Sequence, residues 1–410
     1  MTVHVIGGGL AGLAAALECA HQGIKVALYE AAPDLGGRAR TYFSNELNAH
    51  IDNGAHAVLG NNKSIQRYLG LCGSSDSITV FGANGLTFYD VRSHSTSKLK
   101  LPSVLWSSAH RPPGVSMLDL LAGLKLLTAN AQSTAADALR ASPQAVAALW
   151  EPLCISALNT PLAEASAASL GVILKQMALP GGLGAGLLLP KQSLTDTYIA
   201  PIQKWLQRRG VDIRRGAPLR QIAHSNGHVT NVVFDDAAAF EADDVVILAL
   251  PPWSPLLNEI GIPTAQFSYA PIVNGHFKLP RPVAPQFIGL IGGQGQWVLV
   301  RDGIASVTVS AADALNTQSP DAIAQTLWAE IAPLLKQPEG LPPFHVIKER
   351  RATLRHVPGL DAQRPATVTP LKNLFLAGDW TATGLPCTLE SAVHSGFGAA
   401  HCALREIKRL

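Results

Sequence analysis

The chain runs to 410 residues, too many for one compact core, so two domains are expected. Charged residues make up 15%, against roughly 25% in an average soluble domain, and hydrophobic residues 47%, so the chain buries a large core or keeps apolar surface for a greasy ligand or a membrane face. A net charge of +3 excludes a broad electrostatic footprint for nucleic acid. Five scattered cysteines, Cys19, Cys72, Cys154, Cys387 and Cys402, form no C-x-x-C pair. They argue for a reduced, cytosolic setting and against a disulfide framework or a metal-ligand set. No apolar run reaches the 18 residues of a membrane span, and no Lys or Arg precedes the apolar start as in a signal peptide.

Val3–Ile6 is a short, β-branched apolar run and predicts a buried strand. Gly7, Gly9 and Gly12 follow in G-x-G-x-x-G spacing, and Leu10 to His21 has helical composition ended by Gly23. Ile24–Tyr29 is a second strand, closed by Glu30. Each part suits a dinucleotide. Gly7 makes the tight turn, Gly9 lets a pyrophosphate reach the backbone, and Gly12 lets helix and strand pack closely. The helix start offers unpaired N–H groups and its positive end. A carboxylate about 20 residues on accepts ribose hydroxyls and disfavours the 2′-phosphate of NADP. These residues leave NAD and FAD both open.

Residues 33–40, PDLGGRAR, extend the site: Gly36 and Gly37 turn the chain, and Arg38 and Arg40 bring forked cations suited to phosphate. Residues 50–60, HIDNGAHAVLG, hold Asp52, Asn53, Gly54 and His56, with Gly54 marking another close backbone approach. A helix near Asn62–Cys72 and hairpin strands around Ile78–Tyr89 come next. From Met117 to Met177 the pattern turns helical. Leu118, Leu121, Leu124, Leu126 and Leu127 form a nearly continuous apolar face, and Ala145–Ala157 and Ala163–Met177 read as two further helices. This helical insertion supplies either ordinary core or apolar faces that meet lipid. Pro180–Pro190 is a Gly-rich apolar loop without the Lys-Ser/Thr ending of a P-loop.

Leu194–Arg209 reads as an amphipathic helix. Strands are expected at Val211–Arg215, Leu219–His224, His228–Asp235, Phe240–Glu241 and Val245–Leu250, with turns at Asn226-Gly227 and Asp235-Asp236. Val245–Leu250, ahead of Pro251-Pro252, reads as a strand returning to the nucleotide domain. Ile272–Leu279, Phe287–Ile291, Trp297–Val300, Ala305–Ser310 and Phe344–Arg350 are further strands, with a helix from Pro320 to Leu335. Leu374–Ala377 is a strand, Gly378, Asp379 and Trp380 a turn, and Thr388 opens a helix to Leu404. A nicotinamide enzyme does not need this second strand–turn–helix. The longer flavin dinucleotide uses a second helix end, so the layout favours FAD.

Four segments, GGGLAGL with Glu30, LGGRAR, GVDIRRGAPL and LFLAGDWTATGLPCTLESAVHSG, are together similar to the FAD-dependent amine oxidase and phytoene desaturase superfamily. Within it, IDNGAHAVLG and the GDWTATGLPCTLESAVHSG tail most resemble the hydroxysqualene dehydroxylase family, the squalene-associated FAD-dependent desaturases. The resemblance implies an α/β fold. A Rossmann-type FAD-binding domain would take residues 1–75, 191–255 and 356–410; a mixed-sheet substrate domain would take 76–190, with the helical insertion, and 256–355. It implies that Gly7, Gly9, Leu10, Ala11 and Gly12 hold the pyrophosphate, with Glu30 and Ala31 at the adenosine ribose. Gly36, Gly37, Arg38 and Arg40 would wrap the phosphate and ribityl side; Gly54, Ala55 and His56 would lie near the flavin ring. Leu219 would meet the adenine through its backbone, and Gly378 and Asp379 the ribityl-phosphate region. Pro386, Thr388 and Leu389 would bring a helix start to the pyrimidine edge. Cys387 departs from the pattern, which carries a small residue such as Ala; a small filler is the implied role, a covalent flavin link the other reading.

The implied reaction replaces the hydroxyl of hydroxysqualene by hydrogen, giving squalene for hopanoid and triterpene synthesis. Protonation of the allylic carbinol lets water leave, and reduced FAD supplies hydride. His56, Tyr269 and Asp52, in that order, are the candidate proton donors, with His276 a weaker one. The implied partners are a prenyl-lipid substrate, the inner face of the cell membrane contacted peripherally from the cytoplasm, and squalene-pathway prenyl synthases coupled in function. A carotenoid-type desaturase and an amine oxidase are the alternatives, the second without an aromatic cage visible in the sequence.

Overall fold

β1 (Val3–Ile6) is buried along its whole length because it is the middle strand of a five-stranded parallel sheet. The order is Asp212–Arg215, β2 (Val26–Glu30), β1, Val245–Leu248 and Leu374–Leu376, with every pair parallel. A strand paired on both edges and covered on both faces has no solvated side, hence the unbroken apolar runs. The computed structural model describes residues 1–100, 103, 107–235 and 240–408.

α1 (Leu10–His21) covers one face of this sheet, and the helix Leu389–Ile407 crosses it. The crossing is close because its contact residues are small. A Cβ on Gly396 would sit 2.1 Å from the carbonyl oxygen of Ala11. The first thirty residues and the last helix thus share one apolar core, with Leu13, Leu17, Val393 and Ala400 fully buried in it.

A second, seven-stranded sheet runs Phe344–Leu354, Tyr269–Lys278, Ile304–Ser310, Trp297–Arg301, Gln286–Ile291, Leu86–Asp90 and Ser95–Leu99. It is mixed: Gln286–Ile291 and Leu86–Asp90 run parallel, and the other neighbours antiparallel. Helix Pro320–Ile331 buries Leu327 and Trp328 against it.

Three expectations are corrected. The stretch around Ile78–Tyr89 is not one hairpin. Ile78–Phe81 pairs with Leu187–Pro190, the end of the Gly-rich loop, whereas Leu86–Asp90 hairpins with Ser95–Leu99 in the large sheet. Gly82 and Gly85, at φ +75° and +107°, turn the chain from one sheet to the other. The Gly-rich 180–190 segment is accordingly not all loop, since pairing partners distant in sequence recruit its end as a strand. Phe240–Glu241 forms no strand; Glu241 N instead donates to the Asp244 carboxylate. The Asn226-Gly227 turn forms, while Asp236 lies outside the described residues.

The 117–178 region is helical as read: Met117–Ala122, a 3-10 run Gly123–Thr128, Pro143–Ala145 leading through a π turn into Glu151–Leu158, and Ala167–Ala178. Its apolar face splits. Leu126 is buried, but Leu118, Leu121, Leu124 and Leu127 face solvent.

Candidate functional site

The glycine turn after β1 is built on contacts that no side chain fits. At Gly7, φ is +114° and a Cβ would lie 2.4 Å from the Ala249 carbonyl oxygen; at Gly12 it would lie 1.8 Å from that of Gly7. Gly9 stands at the N-cap of α1 with no side-chain cap and no acid in the first turn. The helix therefore presents its first N–H groups, from Leu10 and Ala11 onward, without a protein carboxylate to neutralise them. Across from Gly9 lies Gly37, where a Cβ would be 3.3 Å from the Gly9 Cα, and Gly36 N donates to Gly8 O at 2.8 Å. Two bare backbones thus face each other over the helix end. Glu30 closes the turn: its two carboxylate oxygens accept from Gly8 N at 2.6 Å and Ala32 N at 2.8 Å, with exposed Ala31 between. Ala217 N donates to Glu30 O at 2.9 Å, which brings the half-buried Leu219 to the same strand end.

Arg38 joins this turn to the far end of the chain. It pairs with the buried Asp379 at 2.5 Å and donates to Ala352 O at 2.6 Å. Burial works against its charge, but Asp379 outweighs burial and holds the guanidinium more firmly protonated than usual. Arg40 is exposed. Gly378, at φ +151°, lets the chain leave the Leu374–Leu376 strand and place Asp379. The loop that follows is held from inside by Arg364, 5% exposed, which donates to the Asp379 and Leu385 carbonyls, each at 2.6 Å. His356 Nε2 accepts from Cys387 N at 3.0 Å. Burial pushes that imidazole down to about 4, so it is the neutral acceptor the bond requires. Thr388 Oγ1 accepts from Ser391 N and caps the helix Leu389–Ile407, whose start follows Pro386 and Cys387. Glu390 turns away from the turn and accepts from Ser64 N and Ile65 N, both at 2.9 Å, at the head of helix α2 (Lys63–Cys72). Cys387 is buried, its thiol pushed up to about 12 by desolvation and directed at Asp379 O at 3.4 Å.

Arg364, His356 and Glu390 were not read from the sequence. Glu390 carries a faint signal, an acid two residues after a capping Thr. Arg364 and His356 carry none, since their partners are loop carbonyls and amides set by the tertiary fold.

The donor candidates do not share one place. Asp52 is fully engaged: it accepts from Arg301 at 2.7 Å, Thr41 Oγ1 at 2.5 Å and Leu194 N at 3.0 Å. His56 sits at φ +45° just after Gly54, which itself has φ +158°; a Cβ on Gly54 would lie 3.2 Å from His56 Nε2. Ala55 packs beside Leu86 and Leu187. Asn53 donates to Arg38 O at 2.9 Å, and Asn274 donates to Asn53 O at 3.1 Å, which ties this loop to the Arg38 turn and the large sheet. Burial pushes His56 down to about 4; Asp52 opposes the shift and Arg38 adds to it. Tyr269 lines a narrow cleft with Arg38, Trp253, Leu354, Asp379 and Trp380. Its ring meets Trp253 edge-on at 5.4 Å, and Arg351 lies over both rings, 5.4 Å from Trp253 and 5.8 Å from Tyr269. Burial raises the Tyr269 phenol, opposed by Arg351 and Arg38. His276 lies elsewhere, bonded to Ser306 at 2.8 Å and pushed down to about 3 by burial.

Residues 10–404 match the family of flavin containing amine oxidoreductases. The chain is 34% identical to a hydroxysqualene dehydroxylase from Sinorhizobium fredii over 98% of each chain, and 34% identical to one from Rhodopseudomonas palustris over the same shares. Its fold superposes on cyclohexylamine oxidase from Brevibacterium oxydans with a TM-score of 0.72, covering 100% of this chain and 99% of that one. At 15% identity that last likeness concerns the fold alone.

Proposed function

Because the chain belongs to the flavin-containing amine oxidoreductase family and groups there with the hydroxysqualene dehydroxylases, we propose that it is an FAD-dependent oxidoreductase converting hydroxysqualene to squalene. The observation that carries this reading is full-length identity to dehydroxylases combined with a cradle built from both ends of the chain. The residues fit FAD. The uncapped start of α1 and the facing Gly9 and Gly37 backbones suit a pyrophosphate, which only side-chain-free positions admit. Glu30 and Ala31 serve the adenosine ribose, Leu219 the adenine, Arg38, Arg40, Gly378 and Asp379 the ribityl-phosphate stretch. Gly54, Ala55 and His56 flank the flavin ring, with the Thr388-capped helix at its pyrimidine edge. Residues 1–75, 191–255 and 356–410 form the cofactor part in this reading, and 76–190 and 256–355 the substrate part.

In the reaction the allylic C–O bond breaks, the oxygen leaves as water with a proton from the protein, and the carbon takes a hydride that reduced FAD supplies. The protein must then deliver one proton in a dry site. Tyr269 is the donor we favour. Its phenol carries a proton at neutral pH, it shares a cleft with Arg38 and Asp379, and two guanidinium groups stabilise the phenolate left behind. His56 is held neutral and is assigned to flavin positioning; Asp52 orders Leu194, Thr41 and Arg301. Trp253, Leu354 and Trp380 keep water from the cleft. The Trp253–Tyr269 pair already holds a cation, Arg351, which disfavours an amine substrate there.

The prenyl-lipid substrate is membrane-borne, so we place the enzyme on the cytoplasmic side, in peripheral contact with the bilayer and coupled in function to prenyl synthases. Among the described residues no helix is long and apolar enough to cross a membrane. Anaerobic mixing of the reduced, FAD-loaded protein with hydroxysqualene tests the proposal. Flavin absorbance should return with one squalene formed per flavin; a reduced flavin that stays bleached with hydroxysqualene, while the oxidised protein bleaches on taking two hydrogens from a carotene, would identify a desaturase.

A further inference from the structure

Leu118, Leu121, Leu124 and Leu127 are 78%, 45%, 58% and 50% exposed, the densest run of solvent-facing large apolar side chains among the described residues. They recur every three residues. Met117–Ala122 is α-helical, and Gly123–Thr128 continues as a 3-10 helix. In 3-10 winding, residues i and i+3 eclipse; continued α winding would rotate each successive leucine by about 60°. The tighter turn therefore keeps Leu121, Leu124 and Leu127 in one outward row while Leu126 turns in.

The row is held from beneath. Ser116 and Asp119 form a reciprocal capping box, and Trp150 Nε1 donates to Asp119 O at 3.3 Å. A Cβ on Gly123 would be 2.4 Å from the Trp150 ring, and one on Gly171 would be 2.2 Å from Leu126 O. So the fold builds this exposed row and fixes it. Within the row itself the exposed charge is positive, and the exposed Asp137 lies on the neighbouring helix Ala135–Leu139. Between residues 112 and 136 the single carboxylate is Asp119, buried and bonded to Ser116 and Ser142, and the single cation is Lys125, exposed. Lys175 is exposed one turn beyond Gly171 on the helix packed against the row.

We propose that this row is the surface by which the enzyme rests on an anionic lipid bilayer, the leucines entering the acyl boundary while Lys125 and Lys175 meet the headgroups. Its purpose rests on the prenyl-lipid substrate proposed above; the contact itself rests on the row. A single helical stripe falls short of the roughly 800 Å² per partner of a stable dimer, and the exposed Lys125 within the row attracts anionic lipid.

Flotation of the FAD-loaded protein with phosphatidylglycerol-containing vesicles and with pure phosphatidylcholine vesicles is the test. Wild type should float with the anionic vesicles. The fourfold Leu→Ser variant should lose at least tenfold in binding at unchanged flavin content. Lys125→Glu, with every leucine in place, should lose binding to anionic vesicles only. Wild-type flotation of the fourfold variant overturns the proposal. So does a dimer in solution that the same substitutions split, since a second copy would then cover the row. Turnover of detergent-dispersed hydroxysqualene needs no bilayer. Its absence in wild type would sink the reaction proposed above and leave the flotation result standing.

Discussion

Arg38 and Asp379 lie 341 positions apart in the chain and meet in a 2.5 Å ion pair at the mouth of the glycine turn. The pair links the two elements proposed to hold opposite ends of the FAD ribityl-phosphate stretch. Asp379→Asn should weaken FAD retention about tenfold, on the scale of a lost charged hydrogen bond. Arg38→Lys should also weaken it, because an ammonium cannot span Ala352 O and Asp379 as the planar fork does. The flavin-to-protein absorbance ratio after gel filtration reads both; unchanged ratios would remove these residues from the cofactor site.

Tyr269→Phe deletes one hydroxyl and keeps the ring packing. Dehydroxylation should fall about 100-fold or more, the usual size of a general-acid contribution, with flavin content intact. His56→Phe should lower flavin occupancy more than it lowers the rate per bound flavin. A Tyr269 donor also predicts a rate flat with pH across 5.5–8. A rate that falls as pH rises through that window would instead indicate a donor titrating there.

Stability should depend on pH through the buried imidazoles. His276 and His356 are pushed down to about 3 and about 4, both mainly by burial. An unfolded histidine titrates near 6.5, so the unfolded chain binds more protons between the two values. The contribution of these groups is full above about pH 6.5 and is lost as pH falls through 4. By that linkage each is worth on the order of 3–5 kcal/mol. Melting temperature should drop steeply below pH 6, and less steeply in His276→Gln.

Gly396 and Gly398 offer a matched pair in one helix. A Cβ on Gly396 meets Ala11 O at 2.1 Å, while at Gly398 it meets nothing within 4 Å. Gly396→Ala should cost about 2–3 kcal/mol or block folding, as overpacking does. Gly398→Ala should gain up to about 1 kcal/mol from helix propensity. Thermal melts of the two variants check the difference; equal shifts would mean the crossing yields.

The glycine turn is legible because its residues answer to local geometry: Gly7 and Gly12 sit where backbone atoms leave no room, and the strand and helix around them are nearly unbroken apolar runs. Thr388 was legible for the same reason, as a cap beside its own helix. What sequence could not give was pairing at a distance. Ile78–Phe81 and Leu86–Asp90 each read as strands, but their sheets are chosen by partners 100 to 200 residues away. Arg364 looked like any loop arginine until the fold surrounded it with carbonyls. Asp52, the last of the three donor candidates, takes its ion pair from Arg301 on another strand, which no local pattern marks.

The central position of β1 bears on how the protein is made. As it leaves the ribosome, this strand has one neighbour, β2, at hand; Val245–Leu248 emerges only after a further two hundred residues, and the helix crossing α1 later still. Nascent chains stalled before residue 374 therefore expose the apolar side of α1 and lack Asp379. Cofactor loading is thus a late event in biogenesis, and prematurely terminated products would engage chaperones rather than turn yellow.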